Sequence, residues 1–154
     1  MILIQRKDFN YESNILWFKN KRVFISGGGS GIGATIVEYF CEQKSEVYFI
    51  DIDLKSSNKL IKKIKKKGFR VPKFIECNIL DVKKLQNIIK DIISKKGAIH
   101  CLINSAANDD RHTTEQVDEK YWENRMGINL KHYFFCCSSG CQRYEKNKKR
   151  QERH

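Results

Sequence analysis

Residues 22–33 read Arg22-Val23-Phe24-Ile25-Ser26-Gly27-Gly28-Gly29-Ser30-Gly31-Ile32-Gly33, a short β-branched run that breaks into a glycine cluster. Immediately after the cluster, Ile32, Ile36, Val37 and Phe40 recur at helical spacing. The pattern predicts a strand, a tight turn and a helix. Glycines in that position allow the turn and let backbone come close to a ligand. The free N–H groups and positive end of the helix that follows suit a pyrophosphate. The spacing is G-x-x-x-G-x-G, which departs from G-x-G-x-x-G, and no G-K-[ST] follows, so a P-loop nucleotidase is excluded. A flexible turn without a ligand is the other reading of the same residues.

Downstream, the same alternation repeats. Glu46 to Ile50 reads as a second buried strand, and Ser56 to Lys67 as a helix with Leu60, Ile61 and Ile64 inward and Gly68 as its stop. Lys73 to Cys77 is a third strand and Asp81 a helix N-cap. Leu85, Ile88, Ile89, Ile92 and Ile93 form the apolar stripe of a helix that Gly97 ends, and Ile99 to Ile103 is a fourth strand. Strands alternating with helices at these lengths call for right-handed crossovers and a parallel sheet covered on both faces. The expected fold class is α/β, a doubly wound, Rossmann-like parallel sheet.

A polar loop from Asn104 to Val117 is followed by helical character from Asp118 through Tyr144, with a break near Gly127. Among the seventeen residues from Ser138 to His154 only Cys141 and Tyr144 are apolar, and no fifth strand appears. The architecture is therefore expected to stop after the helix that follows the fourth strand, leaving that strand with an open edge. Residues 1–20 show no clear period and are expected to be a leader. Residues 21–145 form one incomplete domain, and residues 146–154 a basic tail.

Thirty Lys and Arg against eighteen Asp and Glu give a formal charge of +12. That balance raises nucleic-acid binding, but the basic clusters, Lys55 to Lys67 and Lys146 to Arg150, lack the interleaved aromatics of a stacking platform. They read as a solvated helix face and a solvated tail. The four apolar residues at the start are too few for a signal peptide, and no run of eighteen apolar residues occurs, so a soluble cytoplasmic protein is expected. Six cysteines without a C-x-x-C pair read as reduced thiols. His132 and Cys136, one helical turn apart, allow a metal site to be drawn, but small cysteines in a packed helix are the commoner case and no metal is expected.

Asp51 lies eighteen residues after Gly33, at the end of the second strand. A carboxylate there can accept both ribose hydroxyls of an adenosine and repel a 2′-phosphate, which favours NAD over NADP. Asp53 is close by and fits better as a helix cap.

With these residues in place the chain resembles the short-chain dehydrogenase/reductase family over about residues 20 to 137. The family's T-G-x-x-x-G-[IL]-G is matched with Ser26 for the threonine and glycines at 27, 31 and 33. The resemblance implies cofactor contacts at Gly27, Ser30, Gly31, Ile32, Gly33 and Asp51. It also implies an adenine contact at Asn78, where the family has Asp, and a narrow backbone at Asn104-Ser105-Ala106-Ala107, in place of N-N-A-G, with Asn104 and Ala106 beside the cofactor. The family's helical asparagine, a structural and proton-relay residue in W-x-x-x-x-x-x-N-L, falls on Asn129, seven residues after Trp122. The loop Asn108-Asp109-Asp110-Arg111-His112 is similar to the branch that includes sugar dehydrogenases. Its polar groups can meet a hydroxyl-rich substrate or simply hydrogen-bond among themselves.

Family members complete their site with a Ser and a Y-x-x-x-K pair, in which the lysine brings the tyrosine's pKa toward working pH. The only such spacing here is Tyr144 to Lys148, fifteen residues after Asn129 with Ser138 and Ser139 before it, and it reads as the polar end of a helix. The expected function is NAD-dependent hydride transfer to or from a hydroxyl or carbonyl substrate, a sugar among them, with the isolated chain inactive. The alternative is a catalytically inactive NAD-binding fragment, or a subunit that pairs through the 128–144 helix with a second copy of itself or with a full-length homologue.

Overall fold

A computed structural model describes residues 2–4 and 17–140 of the chain. Its strands are β1 (Ile2–Ile4), β2 (Arg22–Ser26), β3 (Glu46–Asp51), β4 (Lys73–Glu76) and β5 (Cys101–Asn104). The helices are α1 (Gly31–Glu42), α2 (Leu54–Lys66), α3 (Val82–Lys96) and α4 (Glu119–Met126), with a π-helical turn over Gly127–Lys131 leading into a helical segment at 132–140.

The strands form one sheet in the order β1-β5-β2-β3-β4. The pairs β2·β3, β2·β5 and β3·β4 are parallel, as the alternation with helices requires. Side chains alternate across the sheet, so Val23, Ile25, Val47 and Phe49 join one core cluster with Val37 and Phe40 of α1 and Leu60 and Ile64 of α2. Phe24, Tyr48 and Ile50 join a second cluster with Leu85, Ile89, Ile92 and Ile93 of α3 and Cys136 of the 132–140 segment. Helices thus cover both faces, and the central strands β2, β3 and β5 are buried on both sides, while Lys73 and Glu76 of β4 stay exposed.

The helix ends follow local chemistry. Asp53 caps α2 by accepting from Ser56 N at 2.9 Å, and Asp81 caps α3 by accepting from Lys84 N at 2.9 Å. Gly97, with φ of 92°, ends α3.

Two expectations are corrected. The outer edge of β5 is not open: Ile2, Leu3 and Ile4 pair with it antiparallel, opposite Ile103, Leu102 and Cys101. Three residues are too short for periodicity to reveal a strand, and the partner lies about a hundred residues away in sequence. Ile32, in the first turn of α1, does not join the apolar stripe of that helix; it is 79% exposed. The tail at 146–154 and the Tyr144–Lys148 pair lie outside the described residues.

Candidate dinucleotide-binding site

Because β2, β3 and β5 run parallel, their C-terminal ends bring Ser26, Asp51 and Asn104 to one side of the sheet. The chain passes from β2 to β3 on one side and returns through β5 on the other. The crevice beside β2 is therefore a topological switch point.

The glycine turn fills that crevice with backbone. Gly27 and Gly28 donate to the Ile50 carbonyl at 2.8 and 3.1 Å, tying the turn to the end of β3. Gly27 has φ of 68°, and a Cβ on it would stand 2.5 Å from Ala106 Cα. A Cβ on Gly33 would stand 1.9 Å from the Gly27 carbonyl oxygen, so only glycine lets α1 begin against the turn. Ser30 is the N-cap residue of α1, in an extended conformation, and its hydroxyl makes no capping bond. Ser30, Gly31 and Ile32 are all exposed at this end of the helix. The first-turn N–H groups and the helix dipole make this an anion-binding end.

Asp51 closes the crevice on the β3 side. Its Oδ2 accepts from Gly29 N at 2.8 Å and its Oδ1 from Asp53 N at 2.9 Å. A Cβ on Gly29 would lie 2.9 Å from the Asp51 carboxyl and 2.6 Å from Ser57 Oγ, a buried hydroxyl with no hydrogen-bond partner among the described residues. The crevice has the backbone cradle and the carboxylate that an adenine dinucleotide needs. Asn78, exposed just after β4, uses its Oδ1 to accept from Leu80 N at 3.0 Å, which leaves its amide N–H groups to donate outward.

The β5 end behaves differently. Asn104 reaches the same end of the sheet, but its side chain is buried, donates to Cys137 Sγ at 3.6 Å, and keeps an Oδ1 without a partner among the described residues. It faces the core, so only its backbone borders the crevice. Ala106 N lies 3.4 Å from Ser26 Oγ, and Ala106 O accepts from Tyr133 OH at 3.4 Å. Asn129, inside the π-helical turn, exchanges two hydrogen bonds with the backbone of Asn108, at 2.8 and 2.9 Å. Its amide braces the loop after β5.

That loop is largely satisfied by its own contacts. Asp110 N donates to Asn108 Oδ1, Tyr121 OH donates to the Asp110 carbonyl, and Arg125 pairs with the Asp110 carboxylate at 3.0 Å. The hydrogen bond from Arg125 holds the Asp110 carboxyl below its usual range. The Arg125 guanidinium also lies over the Tyr121 ring, and the His112 ring packs on Tyr121 at 4.3 Å. Asp109 and Arg111 remain exposed.

Tyr121, Arg125, His132 and Tyr133 belong to no motif that marks this site. Tyr121 and Arg125 stand four apart on α4, a spacing that signals one helical face but not the loop that folds onto it. Ser138 Oγ donates to the Phe135 carbonyl within its own helix, and Ser139 is buried. Burial pushes the thiols of Cys41 and Cys136 up to about 12 and that of Cys101 to about 11, so none is a nucleophile near neutral pH.

Comparison with known proteins agrees with this geometry. The family model described as short chain dehydrogenase matches residues 21–151. The chain is 36% identical over 121 residues to "Probable galactose dehydrogenase GalD" of Rhizobium meliloti (strain 1021), covering 79% of this chain and 47% of that protein. It is 37% identical over 119 residues to D-xylose 1-dehydrogenase of Caulobacter vibrioides, covering 77% of this chain and 46% of that protein. The chain thus spans about half the length of these relatives. A solved dehydrogenase/reductase from Sinorhizobium meliloti 1021 superposes with a TM-score of 0.75 at 20% identity, over 82% of this chain and 50% of that one. Actinorhodin polyketide ketoreductase with NADPH superposes at 0.72 and 16% identity, over 80% of this chain and 47% of that one, which speaks for the fold alone. With the family model spanning the glycine turn, Asp51 and Asn129 alike, this chain belongs to the short-chain dehydrogenase family.

Proposed function

We propose that this chain is the NAD-binding part of a cytoplasmic oxidoreductase that moves hydride between a nicotinamide cofactor and a hydroxyl or carbonyl substrate, with a sugar as the substrate class. The observation that carries the cofactor choice is Asp51, whose carboxylate is fixed at the β3 end by the amides of Gly29 and Asp53. A charge held there favours ribose hydroxyls and opposes a 2′-phosphate. The substrate class is supported by the likeness to the galactose and xylose dehydrogenases.

In this proposal Gly27, Ser30, Gly31, Ile32 and Gly33 receive the pyrophosphate and Asn78 donates to the adenine. Asn104 and Ala106 border the cofactor through their backbone, and Asn129 holds the loop after β5 in place. The nicotinamide supplies the hydride chemistry; the protein's contribution is orientation and exclusion of water. Replacing Asp51 with Asn tests the cofactor assignment by titration with both dinucleotides. NAD should bind about tenfold more weakly and the preference over NADP should narrow. An unchanged ratio would remove Asp51 from the ribose site.

A second reading, an NAD-binding subunit without turnover, is favoured by Trp122, Leu130 and Phe134, which are 57%, 55% and 67% exposed along one side of α4 and the helical run that follows. Apolar residues so displayed suit a subunit contact through the 128–144 region. Both readings expect the pure 154-residue chain to bind NAD without turnover; a stoichiometric complex with a full-length homologue would favour the subunit, and sugar-dependent NADH formation by the pure chain would overturn it.

A further inference from the structure

His132 is buried at 0% exposure on the first turn after the π-helical stretch, in a position that no cofactor motif covers. Its Nε2 lies 3.4 Å from Ser26 Oγ, the residue before Gly27. That same oxygen is approached by the backbone N–H of Ala106 at 3.4 Å and, at 3.3 Å, by that of Ser105, which it shares with the Ser26 carbonyl at 3.1 Å. A hydroxyl offers two lone pairs and one proton. With both lone pairs facing amides, the Ser26 hydroxyl has its proton left to give, and Nε2 is the acceptor in reach. The imidazole is then neutral with its proton on Nδ1, a buried nitrogen that finds no hydrogen-bond partner among the described residues. Burial agrees, drawing its pKa down to about 4 against a smaller opposing pull from the Ile128 carbonyl.

We propose that His132 is a positioning residue of the dinucleotide crevice: its neutral imidazole, through the Ser26 hydroxyl, pins the end of β2 to the Ser105–Ala106 backbone. The consequence reaches the glycine turn directly, because Gly27 follows Ser26 and its Cα faces Ala106 too closely for any Cβ. The next residue along the helix, Tyr133, secures the Ala106 carbonyl, and Asn129 secures Asn108. Three side chains at 129, 132 and 133 therefore hold three successive parts of the crevice wall, and of these His132 is the one that reaches across to β2. This pin serves the NAD-binding function proposed above.

The test uses the full chain. In 15N-labelled wild type near pH 7, the His132 ring should show the Nδ1–H tautomer. The Ser105 and Ala106 amides should exchange slowly. His132→Leu should speed exchange at Ala106 more than at Ser105, whose N–H keeps the Ser26 carbonyl, and weaken NAD about tenfold, whereas His132→Gln, which restores an acceptor at the Nε2 position, should recover most of both. Ser26→Thr keeps the hydroxyl and should stay near wild type. Ser26→Ala combined with His132→Leu should cost less than the two single changes added together. An Nε2–H tautomer, equal losses in the Leu and Gln variants, or strict additivity would overturn the pin. Should wild type bind no dinucleotide, the NAD-binding proposal fails, while the tautomer and the two amides still decide the role of His132.

Discussion

Gly31 and Gly33 stand two residues apart and are required for different reasons. Gly31 has φ of 53° and open space for 4 Å around the point where a Cβ would stand, so its constraint is backbone conformation alone. Gly33 has an ordinary φ but no room before the Gly27 carbonyl. Gly31→Ala should cost about 1 kcal/mol, the ordinary penalty of a left-handed L-residue. Gly33→Ala should cost about 2–3 kcal/mol and abolish dinucleotide binding, since backbone must move. Urea unfolding of the two variants checks this; equal costs would contradict the packing argument.

A second residue-scale expectation concerns acid. His132 falls to about 4 when folded, from an ordinary value of 6.5, and burial also lowers His100, with Arg22 and Lys21 adding to it. A depressed folded pKa means that the unfolded chain binds the extra proton first. For His132, stability is therefore full above about pH 6.5 and declines as pH falls toward 4, by up to about 1.4 kcal/mol per pH unit, and His100 acts in the same direction. Denaturant midpoints across that window should fall in wild type and fall less in His132→Gln; parallel curves would contradict a buried neutral His132.

At the scale of elements, β1 alters the expected behaviour of the sheet. Its three residues are antiparallel where every other pairing is parallel, and they cover the β5 edge. An uncovered edge offers a row of backbone donors and acceptors to another chain. Replacing Ile2, Leu3 and Ile4 with Gly, Ser and Gly should speed amide exchange in β5 and raise concentration-dependent association in sedimentation experiments. Unchanged exchange and association would mean that β1 contributes nothing to protecting the edge.

The elements themselves are legible in the sequence because their signals are local. Apolar residues at helical spacing, with Asp53, Asp81 and Gly97 at the ends, mark α2 and α3 without knowledge of the rest. The strand pattern is equally plain where both faces are buried. What stays hidden depends on distant partners: the pairing of Ile2–Ile4 with β5, the inward turn of Asn104 toward Cys137, and the folding of Asp110 onto Tyr121 and Arg125. His132 carries no cofactor motif. Its role arises only when residues 26, 105 and 132 meet.

For the molecule as a whole, parallel strands gather the chemistry at one end. The glycine turn, Asp51 and Ala106 come from three separate strand ends, and the two core clusters on opposite faces hold those ends in register. The formal charge of +12 does not define the site. Part of it is already answered on the surface, where Lys63 and Lys67 of the α2 region pair with Glu38 and hold its carboxyl below the usual range. The central claim is that the crevice at the β2–β3 ends is an NAD site chosen by Asp51. Isothermal titration of the full chain with NAD and with NADP in one buffer tests it most directly. Saturable NAD binding, with NADP weaker by about tenfold or more, is expected. Failure to bind either dinucleotide, or tighter binding of NADP, would contradict it.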